Sequence, residues 1–297
     1  MSDSAVDLFI YYLPKNAPER TRLDYALLDL MVASARRARV AGEVNLYTHE
    51  SATIPPDLPV TRVVRIAPKD IALRDVQLIR AYAMRDFVDS EHFTRSAMAV
   101  EYDELFERNP AVAFDLPFDV GVTYACWTKE QEGDLGKLNG GVVYLNYQNP
   151  GAVRSYYRAY LDKFLEIKEE IDNRFSRPYR MAEWGGDEIT HIRLLPAAAF
   201  DGHQQRRRTF TVAGARVMTL ESVRFNCQHA ERQGKSLQIP TYPETLVRHF
   251  NGWRKPFMPD YAERNLGLRI IETDETSWGW KVIPTNQRHA GQGQLSA

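Results

Sequence analysis

The sequence predicts an α/β fold around a largely parallel sheet. Two observations carry this. Short apolar runs alternate with longer segments of helical periodicity from the N-terminus onward, and the order strand, helix, strand, strand, helix opens folds of this class. Ligands in such folds collect beyond the carboxyl ends of the strands.

Residues 6–13 are apolar and aromatic and stop at Pro14, which marks a buried strand. Residues 22–39 place Leu23, Ala26, Leu27, Leu30, Met31 and Ser34 at helical spacing. Residues 44–48 and 60–66 are two further strands, and 73–89 form a second helix through Leu78, Ile79, Ala81, Tyr82, Met84 and Phe87. Residues 93–100 are a weaker strand running into Glu101-Tyr102-Asp103-Glu104, and 118–124 alternate enough for another. Gly140-Gly141 is expected to break the chain before an apolar strand at 142–145. Residues 152–171 form a long helix whose Tyr156, Tyr157, Tyr160 and Phe164 pack over the sheet. No repeat or low-complexity linker divides the chain, so 1–280 read as a single catalytic domain and 281–297 as a polar, disordered tail.

The chain has 297 residues, enough for a substantial core. A net charge of -1 provides no global field toward nucleic acid or a membrane surface. Two cysteines, Cys126 and Cys227, make no disulfide framework. The N-terminus lacks the pattern of a secretion signal, and no apolar run reaches the roughly 20 residues of a membrane helix. The expectation is a soluble, cytoplasmic protein without a membrane span.

Two motifs carry chemistry. Glu101-Tyr102-Asp103 puts two carboxylates at i and i+2, on one face of an extended strand. Magnesium or manganese is typically held by one or two carboxylates, with phosphates and water completing the shell. Alone, such a triplet is a common solvated loop. His249-Phe250-Asn251-Gly252-Trp253-Arg254-Lys255-Pro256 combines an imidazole suited to a divalent metal, a glycine for close approach, and two cations for phosphate oxygens. Alone, it is a surface turn with scattered charges. Asp119 reads as structural.

With Asn139-Gly140-Gly141 and Trp184-Gly185-Gly186-Asp187-Glu188 between them, these motifs stand in an order that resembles the GT-A fold glycosyltransferases, specifically the glycogenin-like and lipopolysaccharide galactosyltransferase-like families. The resemblance covers most of residues 6–260. It implies a GT-A-like three-layer α/β/α sandwich around a mixed, largely parallel sheet, and transfer of a sugar from a nucleotide sugar, UDP-sugar favoured, to a hydroxyl acceptor. It implies Mn2+ or Mg2+ held by Asp103 and His249, with Glu101 as a third member acting through water or the ribose. Thr48 falls where such families contact the nucleotide, and Arg80 near the diphosphate, although by itself Arg80 reads as a solvated or packing arginine. Gly252, Arg254 and Lys255 would face the diphosphate. Asn139, Gly140 and Asp187 would face the sugar, and Asp187 or Glu188 would act as a base toward the acceptor. The chain departs from the pattern in having Glu101 for the usual Asp and Glu188 for the usual Gln. Retention of configuration is implied, with that second departure bearing on it. A saccharide, lipid-linked or protein acceptor ranks above a modified base in DNA; oligomeric state is not legible.

Two rivals remain. A nucleotidyltransferase would carry a glycine-rich loop after the first strand, where this chain has Leu13-Pro14-Lys15-Asn16-Ala17-Pro18. A nucleic-acid binding protein would use Arg36-Arg37-Ala38-Arg39 and Arg206-Arg207-Arg208, against a neutral overall balance.

Overall fold

The computed structural model of the chain describes residues 5–14, 18–40, 42–69, 71, 73, 75–125, 137–174, 185–200, 206–233 and 236–285. Trp184, Cys126, His203 and the tail beyond residue 285 lie outside these. Strands β1 (Asp7–Tyr11), β2 (Val44–His49), β3 (Arg62–Ile66) and β4 (Ala97–Val100) are joined by helices α1 (Pro18–Arg37) and α2 (Val76–Asp89), matching the sequence reading with ends moved by a few residues. After β5 (Glu104–Phe106) come β6 (Val120–Tyr124), β7 (Leu138–Leu145), the long helix α3 (Pro150–Arg174), α4 (Gly186–Leu194), β8 (Arg208–Val212) and β9 (Ala215–Leu220). Three short pieces complete the set of strands: the hairpin β10 (Glu231–Gln233) with β11 (Ser236–Gln238), β12 (Val247–His249), and the hairpin β13 (Leu268–Glu272) with β14 (Trp280–Pro284). Residues 281–284, expected to open a disordered tail, belong to β14 instead.

The main sheet has eight strands in the order β3-β2-β1-β4-β7-β6-β9-β8. The pairs β1–β2, β2–β3, β1–β4 and β6–β9 are parallel, and β4–β7, β6–β7 and β8–β9 antiparallel. This is a mixed, largely parallel sheet with helices on both faces, the predicted sandwich. β1 is buried along its whole length because both faces are covered. Its Leu8 and Ile10 enter the core that packs α1 and β13–β14, while Phe9 and Tyr11 enter the core under α2, α3 and α4. The same alternation divides Met98 and Val100 from Ala97 and Ala99 in β4.

Chain direction makes the site. From β1 the chain winds outward to β2 and β3, then returns through α2 to β4 on the other side of β1. The connections leaving the ends of β1 and β4 diverge there and open a crevice, the switch point of a doubly wound sheet.

Gly140-Gly141 does not precede the strand; both residues lie inside β7. Val122 pairs with Val143 but Thr123 pairs with Asn139, so one step along β6 faces four along β7. The surplus residues bulge, which bends the strand and re-aims its side chains. Asp119 accepts from the Arg216 amide at 2.7 Å and pairs with its guanidinium at 3.0 Å, the structural role expected.

β12 pairs antiparallel with β5, setting His249 opposite Glu104. The pairing is anchored by Arg248, fully buried, whose Nε donates to Glu107 Oε1 while the Tyr261 hydroxyl donates to the same oxygen. Glu107→Ala leaves a buried guanidinium without its counter-charge. Loss of one partner of such a pair costs about 3–5 kcal/mol. A denaturant titration should show a loss of that size, and a change below about 1 kcal/mol would mean the pair is not what pins β12.

Candidate active site

The crevice between the ends of β1 and β4 is a cleft of about 1090 Å³. Tyr11, Tyr12 and Leu13 line it from β1, 51–53 from the turn after β2, Arg80 from α2, Glu101 and Tyr102 from the end of β4, and Lys255 from the 249–256 segment. Tyr12 meets Tyr25 and Tyr102 edge to face, at 5.6 and 5.3 Å between ring centres. Lys255 Nζ lies 4.2 Å over the Tyr102 ring and 2.9 Å from its hydroxyl.

Glu101, Asp103 and His249 converge, each offering a ligand atom within 4.8 Å of the others. His249 Nε2 is 3.4 Å from Glu101 Oε2 and 3.7 Å from Asp103 Oδ1. Asp103 and His249 are buried, and Nε2 has no hydrogen-bond partner. Lys255 Nζ sits 3.0 Å from Asp103 Oδ2. The segments 101–103 and 249–255 are thus brought together as the sequence motifs required, though 101–103 form the turn after β4 rather than its extended end.

Arg80 is neither solvated nor a packing residue. It is buried, and its Nη1 donates to Glu101 Oε1 at 2.8 Å and to Asp187 Oδ2 at 3.1 Å. Its Nη2 donates to the Gly140 carbonyl at 2.9 Å. One guanidinium joins the carboxylates of β4 and α4 to the bulge of β7.

Asp187 and Glu188 stand in the first turn of α4, where the helix dipole favours anions. A Cβ on Gly140 would fall 2.0 Å from Asp187 Oδ2, and one on Gly141 2.3 Å from His249 Cε1. The two glycines are therefore required by the aspartate and the histidine that press on them. Asn139 is buried; its Nδ2 donates to Glu188 Oε1 at 3.1 Å, and its Oδ1 lies 3.1 Å from His249 Nδ1.

Several expectations change in detail. Thr48 is fully buried in β2, so the wall where a nucleotide contact was expected is formed by 51–53 instead. Arg254 is buried and donates to Asn251 within its own turn, and only Lys255 of the two cations lines the cleft. Gly252 has φ 59°, a left-handed backbone that favours glycine, with open space where a Cβ would be. Arg207 pairs with Glu221 at 2.8 Å and Arg208 donates to the Ala198 carbonyl, so two arginines of the 206–208 run are engaged with their own fold.

The charges are strongly perturbed. Burial pushes the Glu101 carboxyl up, but its contact with His249 and the Arg80 and Lys255 charges outweigh it and hold Glu101 below the ordinary range. Burial, then the Glu101 and Asp103 charges, push Glu104 well above it. Burial raises Asp187 against the pull of Arg80. Burial and the neighbouring Asp187 and Glu101 raise Glu188 well above its usual value. Behind them, His191 accepts or donates at 2.6 Å to the Tyr156 hydroxyl, and burial pushes it down to about 3.

The residues fit a divalent cation: two carboxylates and an imidazole with a buried, unpartnered nitrogen, next to a cleft that admits phosphate oxygens. Sequence reasoning missed Glu104, Asn226 and the tyrosine wall. Glu104 adjoins the acidic motif but its burial leaves no trace in the sequence, and Asn226 belongs to no pattern.

The backbone decides the fold. Over 88% of this chain and 94% of the other, it superposes on a galactosyltransferase, LgtC, solved with donor and acceptor sugar analogs, with a TM-score of 0.52 at 16% identity. The chain has the GT-A glycosyltransferase fold. An active-site glutamine-to-glutamate mutant of LgtC matches over 87% of this chain and 96% of its own, with a TM-score of 0.50 at 14% identity. The glycosyltransferase GlyE of Streptococcus pneumoniae TIGR4 matches over 86% of this chain and 56% of its own, with a TM-score of 0.51 at 14% identity. No family model and no curated protein matches the sequence. Among the described residues, no helix of this GT-A chain is long and apolar enough to cross a membrane.

Two outcomes follow from this geometry. A raised native pKa means that the folded state holds the Glu188 proton more tightly than the unfolded chain. The stability linked to it is full below about pH 4.3 and is lost as pH rises through the native value. Glu188→Gln should therefore be more resistant to urea than the parent at pH 8, with the difference shrinking toward pH 4; an equal difference at both pH values contradicts the assignment. Gly141→Ala should displace the His249 ring and weaken Mn2+ binding by roughly tenfold or more, read by calorimetry.

Proposed function

We propose that this protein is a metal-dependent glycosyltransferase. It moves a sugar from a nucleotide-diphosphate sugar, with UDP-sugars favoured, to a hydroxyl acceptor. One observation carries the reading: a carboxylate–carboxylate–imidazole cluster, with Lys255 and Arg80 beside it, at the switch point of a GT-A sheet. Mn2+ or Mg2+ would be held by Asp103, His249 and Glu101.

Each side chain has a task in that reaction. Cleavage of the anomeric carbon–oxygen bond leaves negative charge on the diphosphate. When bound, the divalent ion stabilises that charge as a Lewis acid. Lys255 aims an ammonium into the same cleft and adds a donor for those oxygens. Tyr11, Tyr12 and residues 51–53 form the wall for the nucleoside. Arg80 fixes Glu101 and Asp187 and remains cationic, because their charges outweigh the effect of its burial. Asp187 holds sugar hydroxyls. Glu188, with a raised pKa, accepts the acceptor's proton or bears on the anomeric carbon, and retention of configuration belongs to this proposal. A saccharide, lipid-linked or protein acceptor and a cytoplasmic location are part of it too.

Purified protein with Mn2+ and a panel of UDP-, GDP- and CMP-sugars should release nucleotide from one donor class. Chelation should stop release and added Mn2+ restore it. Asp103→Ala and His249→Ala should each lower the rate by about 100-fold or more. Full activity in both variants would overturn the metal site, and failure of every donor to bind would overturn the transferase reading.

A further inference from the structure

Asn139 is placed by resemblance at the sugar. Its surroundings assign it another task. Its Oδ1 accepts from the backbone N–H of Gly141 at 3.0 Å. A backbone amide can only donate, so this contact identifies which end of the Asn139 side chain is oxygen. The same Oδ1 accepts from Asn226 Nδ2 at 2.8 Å and faces His249 Nδ1 at 3.1 Å. Gln228 Nε2, a donor, also faces Nδ1 but at 3.5 Å, so the nearer acceptor Oδ1 at 3.1 Å places the proton on Nδ1. The lone pair of the neutral ring is then on Nε2, the buried nitrogen that points at Glu101 and Asp103. The other end of the amide, Nδ2, donates to Glu188 Oε1 at 3.1 Å.

We propose that Asn139 is a positioning residue that sets the tautomer of His249 for metal ligation and, with its opposite end, holds Glu188. The inference rests on the transferase reading only for the role of Glu188. The sequence of constraints is local: the β7 bulge turns the Gly141 N–H back onto Asn139, the amide is locked, and the lock sets the imidazole. Contacts of this kind orient metal-ligating histidines generally.

The metal-free protein, labelled with 15N-histidine, tests this directly. Long-range proton–nitrogen correlation should show His249 protonated on Nδ1, with the signal identified by its loss in His249→Gln. Asn139→Asp keeps the acceptor oxygen and should keep both the tautomer and, within about threefold, the Mn2+ affinity, while losing the donor to Glu188 and lowering kcat. Asn139→Ala should lose about 10–100-fold in Mn2+ affinity. An Nε2–H tautomer in the parent protein overturns the proposal. So does wild-type Mn2+ affinity in Asn139→Ala, or a loss in Asn139→Asp as large as in Asn139→Ala. Should Asn139→Ala fail to fold, the parent spectrum and Asn139→Asp still decide. If no nucleotide sugar is cleaved while His249 carries its proton on Nδ1, the transferase reading falls and this one stands.

Discussion

Arg80 is the charge on which the site depends. Glu101, Asp103, Glu104, Asp187 and Glu188 are five carboxyl groups gathered from two segments into a largely buried region, and like charges there repel through a poor dielectric. A single guanidinium with fixed, planar donors can satisfy two of them and a backbone carbonyl together. Lys255 takes a third through Asp103. Glu104 and Glu188 have no such cation as a direct partner, and these are the two whose pKa values rise furthest.

Topology supplies the reach. Arg80 sits in α2, the helix that carries the chain from β3 back across the sheet to β4. It therefore lies between Glu101, at the end of β4, and the β7 bulge. The mini-sheet of β5 and β12 completes the arrangement by pinning His249 against the segment that bears Asp103. Three chain segments far apart in sequence are tied by one ion-pair network and one strand pairing.

Much of this was legible in the residues. The strands and helices up to 100 follow hydrophobic periodicity, because both faces of the sheet are covered and buried runs are long. The acidic triplet and the histidine segment were visible as residue types suited to a cation and a diphosphate. What was hidden is direction. Nothing in the pattern around Arg80 distinguishes a solvated arginine from one that bridges two carboxylates. Thr48 and Arg254 have the right chemistry for a cleft but are buried and do not line it. Gly140-Gly141 looked like a strand breaker because glycine pairs usually are; inside β7 they are tolerated because the neighbouring Asp187 and His249 occupy the space their side chains would need.

The bulge in β7 has a consequence for how this protein can vary. Asn139, Gly140 and Gly141 are spaced by counting residues along one strand between two fixed pairings, Thr123 with Asn139 and Val122 with Val143. Removing or adding a single residue there would shift one side of the count and carry the amide, the aspartate's gap and the histidine's gap out of step together. Length in this stretch is therefore as constrained as composition. Homologues should hold the distance from 139 to 143 constant.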